Sequence, residues 1–429
     1  MLTTNHYLRA SLIGILIGLC APAASAETLE EAWNIAIDNN HQIKAAKTDT
    51  SAAEEQLNSA RGQRLPEFNV SSGYTQRSET PGAVTQIDGR TAQFNTAQPG
   101  SMDAQAIATL PIYTGGRISH DINAAEASLQ AAQHNETTAE LNIKMQVAEA
   151  YIAVLRAESA LKVAQSHVDS LKAHAVDVNN LFDQGMVARN DVLAANVELV
   201  NAEQQVVQAG NRLDIAKAGY NRLLDRDLED EVKLVKQFPD MPKEDLKDLS
   251  NNALKQRSEL AVLTRQIESL EQQAQSVKAG VLPQVAINGG YQYQENRYQA
   301  AESMWLVNAG VKWKLFDGST RHQSDAIIRQ AVSLKEQRND LASQIGLQVR
   351  QAWLDCQETQ KRIAVTGQAI EQAEENMRVT TDSYQQGLST NTDVLKAEDL
   401  RTTSHDNFNN ANYDAALAVL RLRRAVGIL

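Results

Sequence analysis

The side chains able to do chemistry are few and scattered. The 429-residue chain holds eight histidines and two cysteines. His167 and His174 lie seven residues apart in a helical pattern, which sets them on one face, but no third metal ligand stands near them in sequence. They read as solvated helix surface. No H-E-x-x-H, G-x-S-x-G or phosphate-loop motif occurs. The residues therefore point away from an enzyme and away from a cofactor. Cys356 falls on an apolar heptad position and reads as a small packing residue.

Two turns carry the sharper signal. Gly185 is followed by Met-Val-Ala-Arg189-Asn and then Asp191-Val-Leu; Gly387 is followed by Leu-Ser-Thr-Asn-Thr and then Asp393-Val-Leu. A glycine that stops one helix and an acid that opens the next make a helical hairpin tip. Each aspartate has a plain reading as a helix N-cap. Lys396, three residues beyond Asp393, is placed to pair with it.

Long helices must position these tips. From Val147 to Phe182 every residue met in steps of three and four is apolar: Val147, Ala150, Val154, Ala157, Leu161 and on to Val178 and Phe182. A 3.5-residue period over five heptads is a coiled-coil seam. The seam returns 202 residues later, from Val349 through Cys356 to Tyr384 (349 − 147 = 202). A tandem repeat of this length dominates the chain. It divides residues 27–235 from 236–429, with a charged, proline-bearing linker over 225–244.

Each repeat opens with a helix, 28–63 and 245–280, and then changes period at Leu65-Pro66 and Leu282-Pro283. Alternation predicts strands over about 66–78 and 103–113, then about 283–294 and 303–316. A long polar loop joins the first pair. Long helices follow over about 116–182 and 190–224, then 319–384 and 391–427. Trp305, Val307, Ala309, Val311, Trp313 and Leu315 share one strand face, opposite Lys312 and Lys314. The lysine face must be wet. Trp305 and Trp313, about 26 Å apart along a strand, fit two aromatic girdles against lipid. An ordinary half-buried hairpin with two core tryptophans is the other reading.

Composition sets bounds. Arg9, the apolar run Leu12 to Cys20 and Ala24-Ser25-Ala26 read as a signal peptide over 1–26; a lipid anchor at Cys20 is the rival, weakened by bulky Leu19. Removing Arg9 takes the net charge from −12 to −13, which argues against nucleic acid. The mature chain keeps one cysteine, so no intrachain disulfide is possible. No apolar run is long enough for a membrane helix. Two strands per repeat give four, and four cannot close a barrel in lipid. A dimer would give eight strands and a trimer twelve; strand count does not choose.

The tandem repeat, the Leu-Pro strand starts, the Gly115-Gly116 and Asp317-Gly318 strand exits and the paired G-x₅-D-V-L turns together resemble the TolC family of outer-membrane exit ducts. The resemblance covers essentially the whole mature chain. It implies a mixed α/β membrane protein. The homotrimer would close a twelve-stranded barrel in outer-membrane lipid and a periplasmic α-helical tunnel. It implies a periplasmic adaptor and an inner-membrane ABC or RND pump as partners, in drug efflux or type I protein secretion. At the entrance it implies carboxylate rings. Asp393 stands at the first ring position, and Lys396 replaces the acid of the second. Tyr384 takes the place of a tyrosine that holds the entrance shut, although seam packing explains it equally, and Arg189 could bond a neighbouring tip. A periplasmic coiled-coil adaptor or scaffold without a barrel is the alternative function.

Overall fold

The computed structural model describes residues 26–429. The expected leader, with Arg9 and Cys20, lies outside them up to residue 25. The chain opens with two short helices, α1 (Leu29–Asn39) and α2 (His41–Gly62). One helix over 28–63 was the expectation; it breaks at Asn40, whose extended backbone and side chain cap α2. The second repeat breaks at the matching place, Arg257, between α5 (Leu246–Gln256) and α6 (Ser258–Ala279) (257 − 40 = 217). The same 217-residue offset relates Leu29 to Leu246 and Ala36 to Ala253; three of the four are buried and Leu246 is half-buried.

Strands β1 (Glu67–Gln76), β4 (Gly100–Tyr113), β5 (Gln284–Gln294) and β6 (Ser303–Lys312) form one antiparallel sheet in the order β1-β4-β5-β6. The loop expected between the first pair holds its own hairpin, β2 (Gly82–Ile87) and β3 (Arg90–Asn95), so there are six strands among the described residues and not four. The left-handed Asp88-Gly89 turn closes it, since glycine adopts positive φ without steric cost. The last strand is also shorter than expected. It stops at Lys312, paired with Gln284, because Pro283 ends the partner strand and has no N–H to offer. Trp313 and Lys314 therefore lie just past the sheet, and Lys314 reaches Asp317 at 3.4 Å.

Register decides which residues share a face. Val70 faces Ala106, Ala106 faces Tyr291 and Tyr291 faces Trp305. One side of the sheet thus carries Phe68, Val70, Tyr74, Ile287, Tyr291, Trp305, Val307 and Val311, all exposed or half-exposed. The other side carries Asn69, Ser71, Gln105, Asn288, Asn308 and Lys312. Both outer strands, β1 and β6, keep one edge unpaired.

The long helices are α3 (Arg117–Asp183), α4 (Arg189–Leu223), α7 (Thr320–Gln385) and α8 (Asn391–Val426). At 67 residues, α3 is about 100 Å long. Among the described residues no helix is long and apolar enough to cross a membrane. One core gathers α1, α3, α4, α8 and the linker around Tyr151, Tyr220, Leu224 and Leu420. A second gathers α5, α7 and α8 around Leu249, Ile345, Val349 and Cys356. Burial pushes the Cys356 thiol up to about 11, so it is inert packing.

The break at Arg257 is pinned by charge. Its guanidinium donates to both Glu259 oxygens (2.9 and 3.1 Å) and to the Ala425 carbonyl (3.0 Å), while Arg424 donates to Glu259 at 2.8 Å. Burial pushes the Glu259 carboxyl up, but the hydrogen bonds from Arg257 and Arg424 outweigh it and hold it at about 2. A depressed folded pKa stabilises above the ordinary carboxylate pKa and is lost as pH falls through the folded value. We predict that acid titration from about pH 4.5 to 2 removes on the order of 2–3 kcal/mol through Glu259. Glu259→Gln should flatten that part of the stability profile; an unchanged slope in denaturant melts would refute it.

Candidate functional site

The two hairpin tips are built alike. After α3, the Gly185 N–H donates to the Phe182 carbonyl (2.8 Å) and the Met186 N–H to Leu181 (2.9 Å). After α7, Gly387 donates to Tyr384 (2.9 Å) and Leu388 to Ser383 (2.8 Å). This double bond pattern is a Schellman close, and it needs φ near +71° and +72° at the two glycines. No other atom crowds either position, so glycine is there for its backbone alone.

The next helices start two residues before their aspartates, and their caps lie three before. Asp191 and Asp393 are therefore third-position acids, which corrects the N-cap reading; Ala188 and Thr390 occupy the cap positions. At the second tip the box is reciprocal: Asp393 N–H donates to Thr390 Oγ1 (3.3 Å), while Thr390 N–H (3.0 Å) and its hydroxyl (2.6 Å) donate to Asp393 Oδ2. At the first tip Ala188 offers no side-chain partner, and only its N–H reaches Asp191, at 3.4 Å. The Thr390 hydroxyl and N–H hold the Asp393 carboxyl below its ordinary range, with a smaller contribution from Lys396. Asp393 and Lys396 are both exposed. No ion pair joins them among the described residues, because Thr390 has claimed the carboxylate.

Tyr384 does not project. It is buried in a tip core with Ala175, Val178, Ala195 and Val394, and its ring lies 5.4 Å from that of His174. Its hydroxyl has no partner. Burial, then the charges of Asp191 and Asp177, push that hydroxyl up. Arg189 is exposed, with no ion pair among the described residues.

The reading of His167 and His174 as solvated surface is overturned. His174 is buried and meets Asn391 Oδ1 at 2.7 Å; the Asn391 amide donates to the Asp191 carbonyl at 3.2 Å. One strut therefore links α3, α8 and α4. His167 meets Glu398 at 3.0 Å, and Glu398 also accepts from Ser170 (2.8 Å) and twice from Arg401 (2.8 and 3.0 Å). Glu398 is 1% exposed. Burial raises its carboxyl, but the bonds from His167, Arg401 and Ser170 bring it below the ordinary value. Farther along, Tyr413 meets Ser159 and Arg421 meets Glu149, so the α3–α8 seam carries a polar ladder. A signal was present in the sequence: Asn391 and Glu398 are seven apart, as are His174 and His167, which is the spacing of facing positions on antiparallel helices.

Two helical hairpins hung from one four-stranded sheet leave little room for other folds. Residues 32–224 and 249–428 match the model described as outer membrane efflux protein. The chain belongs to that family. It is 22% identical over 431 residues to outer membrane protein TolC of Vibrio cholerae, covering 97% of this chain and 94% of the relative. It is 23% identical to the alkaline protease secretion protein AprF of Pseudomonas aeruginosa, covering 99% and 90%. Among solved structures, VceC of Vibrio cholerae superposes with a TM-score of 0.76 at 18% identity, over 93% of this chain and 96% of that one. CusC gives 0.79 at 15% identity, over 93% and 92%. The likeness shows the fold. Membership shows an outer-membrane efflux duct, and the barrel-free scaffold reading is not favoured.

Proposed function

We propose that three copies of this chain form the exit duct of a tripartite export system, as a passive conduit. The carrying observation is the sheet, whose two outer edges are open and whose one face is apolar and exposed. An unpaired edge is not tolerated in lipid. Pairing β1 of one copy with β6 of the next satisfies both edges, and three copies give twelve strands. The apolar face, with Trp305 in it and Trp313 just below, then meets lipid, while Lys312 and Asn308 face the lumen. The tips at Gly185 and Gly387 form the periplasmic entrance, opened by a periplasmic adaptor and an inner-membrane ABC or RND pump. Arg189 is free to reach a neighbouring tip. No bond is made or broken in the cargo. Purified protein in detergent should have the mass of three chains and form pores in planar bilayers. A lone, non-conducting chain sinks the proposal.

At the entrance, exposed Asp393 supplies a ring of three carboxylates, kept ionised by Thr390. Like charges in a narrow mouth attract cations. Asp393→Asn is the informative variant, because its amide oxygen can still accept from Thr390 while the charge is gone. We predict that block by a trivalent cation weakens about tenfold or more. Equal block in wild type and variant rules the ring out.

A further inference from the structure

A groove of about 400 Å³ opens between α3, α8 and the linker. Its lining includes Lys162 and His167 from α3, Arg401, Thr402 and His405 from α8, and Lys236 from the linker, and none of its lining residues is acidic. That is unusual for a chain whose net charge is −12. The basic groups are held in place. Lys236 sits 4.9 Å over the Tyr413 ring, and the Tyr413 hydroxyl meets Ser159 at 2.7 Å. Glu398 grips Arg401 and His167 from beneath, and His405 meets Glu374 at 2.6 Å. Glu398, which is buried, and Glu374, which is half-exposed, are thus occupied by these contacts. Lys162 and Lys236 make no ion pair among the described residues, so the groove presents two free ammonium groups.

We propose that this groove binds a small, multiply charged oxyanion, of the sulfate or phosphate class. Ammonium groups supply charge, and the Ser166 hydroxyl and Asn409 amide in the lining supply directed donors, while Thr402 is bonded to His167 and Glu398. The groove is too small for a protein segment to enter. Lys162 lies 45 residues along α3 from Arg117 and 21 from Asp183, which is about 68 Å from the sheet end and about 32 Å from the tip. Outer-membrane headgroups do not reach it, so the source is a soluble periplasmic anion. The site is made within one chain and stands whether or not the ring is threefold.

The test is isothermal titration of the purified full-length protein with sodium sulfate at constant ionic strength. We expect one saturable site per chain. Affinity should fall about tenfold or more in Lys162→Gln/Lys236→Gln and persist in Lys162→Arg/Lys236→Arg. Elution volume and helicity like those of wild type show that the variants are folded. No saturable binding in wild type, or equal binding in the glutamine variant, overturns the proposal. Displacement of sulfate by dihexanoyl phosphatidylglycerol more tightly than by glycerol phosphate would assign the site to a lipid headgroup and also overturn it.

Discussion

Val307→Arg is expected to remove the protein from the outer membrane, while Asn308→Arg, one residue along the same strand, is expected to leave it there. Val307 is 83% exposed and lies on the apolar face with Trp305 and Val311. Asn308 lies on the polar face with Lys312. If the apolar face meets lipid, an arginine near mid-bilayer costs about 2–4 kcal/mol per copy, and a ring of three copies bears it three times. The total, about 6–12 kcal/mol, is as large as the margin of about 5–15 kcal/mol by which most folded proteins are stable. On the lumenal face the same side chain stays in water and should change only conductance. Membrane fractionation and a heat-modifiability gel read both variants. Normal insertion of Val307→Arg, or equal failure of both, contradicts the assignment of faces.

Glu398→Ala is expected to have the largest effect on the helical part. Removing the carboxylate leaves Arg401 and His167 facing each other in a half-buried seam, with Ser170 unsatisfied. Breaking one side of a buried ion pair typically costs about 3–5 kcal/mol. The lost partner matters more than the lost contact, so a variant that removes the whole polar cluster should fare better. His167→Leu/Glu398→Met/Arg401→Met is expected to recover most of the loss, since matched apolar packing can replace a buried pair at little cost. Thermal melts followed by circular dichroism compare the three proteins. A single variant that melts with wild type would falsify the structural role of this cluster. Failure of the triple variant to recover would show that the polar ladder sets the α3–α8 register, which alanine alone cannot reveal.

The gross plan could be read in the sequence because repetition and period are local. The 3.5-residue seam shows on one helix, the 2-residue alternation shows on one strand, and the 202-residue echo shows each twice. What could not be read depended on a partner element. The Arg257 break follows from packing against α7 and α8, with no propensity signal, whereas Asn40 is a favoured N-cap residue inside a stripe that otherwise reads as one helix. The β2–β3 hairpin is too polar to show a buried face. Sequence alone allows Asp191 and Asp393 to be caps because a single helix start can be framed in several ways; hydrogen bonds to residues 188 and 390 decide the frame. His167 and His174 look like surface in the sequence because each one's partner lies more than 200 residues away.

The unpaired margins of β1 and β6 also bear on genetics. A subunit that cannot seal its neighbour spoils the ring it joins, whatever the other members are. In a cell making sound and faulty copies equally, random mixing into threes leaves only about one ring in eight intact. Lesions at these margins should therefore be dominant, whereas lesions that unfold the chain before it meets its siblings should be recessive.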